Sequence, residues 1–424
     1  MNYTDYENTI STLKRLQQEM SDESYRKKFW HDFPKIPIAL YDEERVFLTG
    51  YAGVLDGFKE QDGVLTGKRD SRFYGNTAIE LEGQQVAIWY LTTLESSISY
   101  GKLLSFIFHE AYHGYQRLKG ERRWANELQI LEYPFTVENT AIRFLERREL
   151  LRALYSSSRM DIRERLASFV GLRERRRMIT GDALNYELAQ ESIEGTALYV
   201  ETKVYSDYEV MPLAYSIALQ SKDMGELEAN LEKLRLSCYA PGMCMAFVLD
   251  KLDSQWQKDY MNSERYIYDF LRDLAGIKVA EFNVAEIPEE ILEKSENAVS
   301  RYRKLIDEEF NSFENSGGYR IALLGEFPLK GIDPLNIKWK DRYILSEHFF
   351  ATEFNRTPVV ISGKSRARRT GEGFRFDEIV FYSDSKPVIT EGFVEIPCIG
   401  IVKARLEESD RGYDIYEEAC EPDG

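Results

Sequence analysis

Between Lys35 and Leu91 the apolar residues come in short runs, IPIALY, RVFLTGY, NTAIELEG and QQVAIWYL, each broken after a few positions by glycine or aspartate. Runs of this length and composition predict strands, and Glu82-Gly83 between the last two predicts a hairpin. From Ser97 to about Tyr208 the pattern turns helical. LLSFIFHEAYHGYQRL, a segment opened by Pro134 and running through RFLERRELLRALY, and ALNYELAQESIEGTALYVETKVYS each predict one helix. Further helices are expected over 223–236 and about 242–260. Pro288 begins EEILEKSENAVSRYRKLIDEEF, a long polar helix, and residues 1–30 read as a polar amphipathic one.

Asn315-Ser316-Gly317-Gly318 is the strongest break in the pattern. Beyond it YRIALLG, RYILSEHFF, PVVISG, EIVFYS, FVEIPCIGIVKARL and YDIYEE read as strands. The expected fold class is therefore α+β in two domains. Residues 1–314 hold a small N-terminal sheet (about 35–91) and a mostly helical remainder (97–314), and residues 319–424 form a β-rich C-terminal domain.

With 424 residues, 13% of them aromatic, the chain is long enough for a large core and too rich in rings for wholesale disorder. The formal charge of -17 disfavours nucleic acid and anionic membranes as general partners. RERRR at 173–177 is a local exception, expected to be a solvated helix face. No segment reaches the ~20 apolar residues that a membrane span needs. The opening MNYTDYENTISTLKRLQQEM lacks the basic start and apolar core of a signal peptide. Cys238, Cys244, Cys398 and Cys420 show no CxxC spacing and are too few for a disulfide framework. Together these features predict a cytoplasmic protein.

Candidate chemistry sits in FIFHEAYHGYQ, residues 106–116. His109 and His113 are four apart, which puts both imidazoles on one helix face about one turn from each other. That separation suits a tetrahedral Zn²⁺. Glu110 lies about 100° around the helix, placed to act on water rather than to share the ligand set. Leu103, Leu104, Phe106, Ile107, Phe108, Ala111, Tyr112 and Tyr115 make the helix apolar on nearly every side. An unpaired carboxylate and two imidazoles buried there would cost several kcal/mol, and a divalent ion supplies the compensation. Two satisfied core histidines with a salt-bridged Glu110 are the bland alternative. It is disfavoured because two of only four histidines in the chain stand here.

The HExxH helix needs a third ligand. In ESIEGTALYVE the chain resembles the gluzincin metallopeptidases, especially the aminopeptidase N type within the thermolysin-like zincin group, whose third-ligand helix reads NEGFASYVE. Glu194, Gly195, Ala197, Tyr199, Val200 and Glu201 fall on the matching positions. The resemblance implies a zincin-like catalytic domain with Glu194 as third ligand and Gly195 leaving room for close packing against the HExxH helix. Glu132 is a second candidate, eighteen residues after His113, where WANELQILE echoes the family's WWNDLWLNE. Tyr133-Pro134 follow it at once, however, and the residue before a proline is pushed out of helical geometry. With Glu194 as ligand, the eighty residues between His113 and Glu194 are an insertion relative to the usual pattern. Glu191 is a fallback ligand, and Glu187 and Glu191 are otherwise expected on a solvated acidic face. Tyr239 followed by Gly242 resembles the family's YEKG segment, which implies that Tyr239 stabilises the oxyanion. The amine-gripping GAMEN motif has no match. GNTAIEL at 75–81 shares only Gly75, Ala78 and Glu80 with it, so exopeptidase and endopeptidase specificity both stay open.

Taken together, the expectation is a Zn²⁺-dependent hydrolase of a peptide or small amide substrate, with Glu110 as general base. One rival is a non-catalytic protein that keeps the zincin scaffold for binding. A second is a zinc hydrolase of a non-peptide amide.

Overall fold

The computed structural model describes residues 6–95, 97–278, 286–371, 374–390 and 393–417. Two compact units share them: Met1–Asn126 with Pro134–Ser295, and Glu127–Tyr133 with Glu296–Gly424.

The first unit begins with α1 (Tyr6–Ser21) and α2 (Glu23–Lys27), which are separate because Asp22 caps α2 by accepting from Tyr25 N. Six strands follow: β1 (Ile38–Tyr41), β2 (Arg45–Thr49), β3 (Phe58–Gln61), β4 (Val64–Lys68), β5 (Thr77–Leu81) and β6 (Gln84–Tyr90), in the order β3-β4-β2-β1-β6-β5. β1 pairs antiparallel with β2 and parallel with β6. Alternation sends Ile38, Leu40, Phe47, Ala87 and Trp89 into the core shared with the helices. Ala39, Tyr41, Val46, Leu48 and Ile88 build a second core on the other face. The expected hairpin is present. Glu82 and Gly83 sit at φ 46° and 82° and join β5 to β6, as a two-residue turn matched to strand twist requires.

The helices are α3 (Tyr100–Leu118), α4 (Val137–Tyr155), α5 (Arg159–Thr180), α6 (Leu184–Tyr208), α7 (Leu213–Ser221), α8 (Leu227–Glu232), α9 (Tyr239–Leu252), α10 (Trp256–Met261) and α11 (Ile267–Leu274). α3 packs on β5 and β6 and against α6, and α6 packs against α9. Helix α4 starts at Val137 rather than Pro134, because the Thr136 side chain takes Asn139 N as cap. The single helix expected over 223–236 is instead α8 between two 3₁₀ turns. The one expected over 242–260 is broken where Asp253 turns extended.

α12 (Glu289–Glu314) is the long polar helix anticipated after Pro288. The units divide inside it, at 295/296, and not at Asn315–Gly318. The reason is packing: Ile306, Phe310 and Phe313 share a core with Ala322, Leu345 and Val380 of the second unit.

The second unit is β-rich, as expected. Its strands are β7 (Tyr319–Pro328), β8 (Gly331–Ile332), β9 (Ile337–Lys340), β10 (Tyr343–Ser346), β11 (Phe349–Phe354), β12 (Thr357–Ser362), β13 (Ser365–Arg369), β14 (Arg375–Ser383), β15 (Val388–Thr390), β16 (Phe393–Ile396), β17 (Gly400–Val402), β18 (Ala404–Ser409) and β19 (Gly412–Glu417). Seven form one sheet, β18-β19-β7-β14-β13-β10-β9, beside two three-stranded sheets. β9 (IKWK) and β13 (SRARR) went unread in the sequence because their charges mask the alternation. Among the described residues no helix is long and apolar enough to cross a membrane. Cys238, Cys244 and Cys398 are free thiols, and Cys420 lies outside the described residues.

Candidate metal centre

Helix α3 carries the first half of the site. Its N-cap Ser99 accepts from Lys102 N, and the helix runs unbroken through HEAYH. His109 and His113 share a face with their ring centroids 4.9 Å apart. The second half comes from α6. Glu194 Oε2 stands 3.4 Å from His109 Nε2 and 3.4 Å from His113 Nε2. These are long for hydrogen bonds, yet a tetrahedral ion with bonds of about 2.0–2.1 Å sets its ligand atoms about 3.3–3.4 Å apart. Among the described residues this trio is the one His/Cys/Asp/Glu group whose ligand atoms converge this way, all within 4.8 Å of one another.

The outer nitrogens decide which way the lone pairs face. His109 Nδ1 lies 2.9 Å from Glu201 Oε2, and His113 Nδ1 lies 2.8 Å from Gln116 Oε1. Both partners are acceptors, so each Nδ1 carries a hydrogen, and each Nε2 is left facing Glu194, where a neutral ring presents a lone pair. Two neutral rings and a carboxylate oxygen converging in a buried space repel one another unless a proton on a ring or a metal cation lies between them. The donor set therefore fits a divalent metal held by two imidazoles and a carboxylate. Partners on the outer nitrogens are a regular feature of such sites.

Each supporting group is itself anchored. Gln116 Nε2 donates to Ile193 O at 3.0 Å and to Thr196 Oγ1 at 3.1 Å, so one side chain orients His113 and ties α3 to α6. Lys102 Nζ pairs with Glu201 Oε1 at 2.7 Å. Burial pushes the Glu201 carboxyl up, but Lys102 and the His109 bond outweigh it and hold it at about 2. For His109, burial opposes a charged ring, yet the bonds to Glu194 and Glu201 prevail and push it up to about 10. A field that holds a proton so firmly on an imidazole is one that attracts a cation. Glu194 is pushed up by burial and pulled back down by His113, His109 and Arg235, ending well below the usual carboxylate range.

Glu110 differs from both of these carboxylates. It is 8% exposed, and among the described residues it makes no hydrogen bond or ion pair. Burial raises its pKa, with Glu194 and Glu201 adding to the effect against the two histidines. Tyr239 is the first residue of α9, and its hydroxyl accepts from Arg235 Nη1. Arg235 Nη2 in turn donates to Glu194 Oε1 at 2.9 Å. Trp124 stands near His113, their rings 6.2 Å apart.

No known protein family, curated protein or solved structure matches this chain.

The five residues singled out beforehand, His109, Glu110, His113, Glu194 and Tyr239, thus lie on three helices of one compact unit. Glu132 does not join them. It belongs to the second unit, in the 3₁₀ turn Glu127–Glu132, where its side chain is 57% exposed and pairs with Arg369 at 3.0 Å. The solvated acidic face expected for Glu187 and Glu191 is corrected: both are buried. Glu191 takes two bonds from Arg173 at 2.7 and 2.8 Å, while Glu187 takes Arg143 at 2.8 Å and also Arg176. Glu146 completes the network with Arg173 and Arg176. Arg173 and Arg176 of RERRR are therefore buried partners, not a solvated face. The role of Gly195 is corrected as well. A Cβ there would meet Gly242 Cα at 2.4 Å, so the close contact is with α9 and not with the HExxH helix. Arg235, Lys102 and Gln116 went unread in the sequence. Gln116 alone carried a signal, standing three residues after His113 and so within helical reach of it.

Proposed function

We propose that this chain is a zinc-dependent hydrolase, most simply a metallopeptidase of gluzincin type. The observation that carries the reading is the convergence of His109 Nε2, His113 Nε2 and Glu194 Oε2 at 3.4 Å beside Glu110, a buried carboxylate without a protein partner. A purely structural site closes its coordination with four protein ligands and needs no base. Here three ligands stand next to a free carboxylate.

His109, His113 and Glu194 would hold the zinc ion, which when bound supplies Lewis acidity that acidifies water and polarises a carbonyl. Glu110 takes the proton from the attacking water and passes it to the leaving nitrogen. Charge is distributed to suit that division of labour. Lys102 pairs with Glu201 and Arg235 with Glu194, whereas Glu110 forms no ion pair among the described residues and feels the Arg117 charge only without direct contact. Tyr239 donates to the oxygen on which negative charge develops, a contribution of about 3–4 kcal/mol for a well-placed donor. Glu201 and Gln116 keep the two imidazoles in the tautomer and orientation that bind metal. The edge strand β5, the last five residues of the GNTAIEL segment, lies against α3 and offers backbone for an extended peptide.

The test is a zinc-loaded preparation assayed on free and end-blocked peptides and on non-peptide amides, alongside Glu110→Gln. The variant is expected to keep its zinc and to lose about 10²–10⁴-fold in rate. Undiminished hydrolysis by Glu110→Gln would sink the base assignment. Activity confined to non-peptide amides would move the substrate class but not the mechanism.

A further inference from the structure

The rim of the site carries a cation that the mechanism does not use. Arg117 lies about one turn beyond His113 on α3, and Glu110, His113 and Arg117 share one face of the helix. Its Nη1 donates to Ala78 O on the edge strand β5. That carbonyl is on the open side of the strand. Ala87 N donates to Pro37 O at 2.9 Å, so Ala87 turns its backbone toward β1, and Ala78 opposite it turns away from β6. Gly114 permits the approach, since a Cβ there would meet Gln85 Cβ at 3.3 Å and Ala78 Cβ at 3.6 Å. Trp124 completes the rim, its ring 6.2 Å from that of His113 and 5.6 Å from the guanidinium carbon of Arg117. Arg117 is exposed, and Trp124 is 40% exposed.

Among the described residues the bond to Ala78 O is the one hydrogen bond that Arg117 makes, and it forms no ion pair. Glu110 and Glu80 feel its charge without contact, and Glu80 Oε2 is taken by Gln85 Nε2 at 3.2 Å. Nε and Nη2 are left over. They form the edge of a guanidinium that grips a carboxylate through two parallel hydrogen bonds. We propose that Arg117, backed by the Trp124 ring, is a specificity-determining residue that receives a carboxylate of the substrate. The inference rests on the metallopeptidase reading above and narrows its substrate class to peptides with an acidic side chain or a free C-terminus close to the cleaved bond. Four residues of helix advance about 6 Å, the length of about two residues of an extended peptide. A peptide laid along β5 with its reacting carbonyl at the histidines therefore brings a group about two residues away to the guanidinium. A merely structural link between α3 and β5 would need only Nη1.

The test uses the zinc-loaded full chain and short peptides acetylated and amidated at their ends. A single Glu is moved along an otherwise neutral sequence, and each peptide is paired with its Gln counterpart. A neutral peptide with a free C-terminus separates a terminal carboxylate from a side-chain one. At one position the Glu peptide, or else the free-terminus peptide, is expected to exceed its neutral counterpart about 10–100-fold in kcat/KM. Arg117→Gln can still donate to Ala78 O, and there the ratio should fall to near unity. Arg117→Lys should keep part of the preference, and Arg117→Glu should shift it toward Lys at the same position. An Arg117 with a structural role alone would slow every peptide together and leave the ratio unchanged, which would overturn the proposal. If Arg117→Gln does not fold, the wild-type ratio decides, and a ratio near unity at every position overturns it. Binding of the same peptides, labelled with a fluorophore, to zinc-loaded Glu110→Gln is read by anisotropy and needs no turnover. Cleavage without a carboxylate preference would sink this inference and leave the metallopeptidase reading standing. Carboxylate-selective binding that depends on Arg117, with no cleavage by wild type, would uphold the subsite and sink that reading. Protein that neither binds nor cleaves any of the peptides would sink both.

Discussion

At the scale of single residues, the site separates groups that offer lone pairs to a metal from groups that hold those donors in place. Glu194→Ala should lose most bound zinc, and Glu132→Ala should keep it. Elemental analysis after dialysis distinguishes the two, and the opposite pattern would return the ligand role to Glu132. Glu201→Ala removes the acceptor on His109 Nδ1, 2.9 Å away, and frees Lys102 from its partner. Zinc affinity is then expected to fall about 10–100-fold, measured by chelator competition. The HExxH pair was legible in the sequence because its spacing is a local property of a helix. The outer partner of His109 was not, although Glu201 had been matched by position, because ninety-two residues separate them and nothing local encodes that meeting. Arg235 was invisible for the same reason, lying in a short irregular stretch with no periodicity to read.

At the scale of elements, α3, α6 and α9 act as one framework. α6 meets α9 at Gly195 and Gly242, where backbone touches backbone. A Cβ on Gly242 would sit 2.1 Å from Glu191 O. Because that neighbour is main chain, it cannot swing aside as a flexible side chain would. Gly242→Ala is therefore expected to destabilise the protein by about 1–3 kcal/mol in urea unfolding. It should also weaken zinc binding, since the helix displaced carries Glu194. A stability and zinc affinity equal to wild type would show that the crossing tolerates a methyl group. α3 and α6 were read as single helices, whereas α9 was expected to run on to about 260 and stops at Leu252. Other helix ends were read less well. Pro134 was taken as a start, but the local capping bond of Thr136 sets the first turn three residues later. Gly195 was recognised as a close-packing position and given the wrong partner, because a sequence shows that a side chain is missing and not what fills the space.

At the scale of the whole molecule, the chain is acidic, yet the helical unit is braced by buried arginines that neutralise buried glutamates. Glu187 is fully buried, and the guanidinium groups of Arg143 and Arg176 overcome the effect of burial and hold it far below its ordinary value of 4.5. A carboxyl whose pKa is depressed in the fold stabilises that fold above its unfolded value, and the contribution disappears as pH falls. Wild-type stability should therefore decline as pH drops below about 4.5. Glu187→Gln leaves charged partners unmatched and should cost about 3–5 kcal/mol near neutrality, with the gap to wild type narrowing in acid. Denaturant titrations at several pH values measure both, and a gap independent of pH would show that Glu187 is not the group responsible. Loading with zinc should slow amide exchange in α3 and α6, because a ligand bound only by the folded state stabilises it by mass action.

The sequence by itself determined most of the longer helices and several of the strands, that a β-rich region follows a helical one, and that two imidazoles and a carboxylate crowd one apolar helix. All of these follow from periodicity and spacing over a few turns. Tertiary structure decided which distant carboxylate faces the imidazoles, and which arginines match Glu146, Glu187 and Glu191. It also moved the division between the units from a glycine-rich link into the first third of α12. The reason for the third is that apolar residues of α12 pack with the second unit, and for the first two that a charged side chain has the same periodicity on a solvated face as in a buried pair. Only packing, which removes water and brings remote elements within a few ångströms, separates the two.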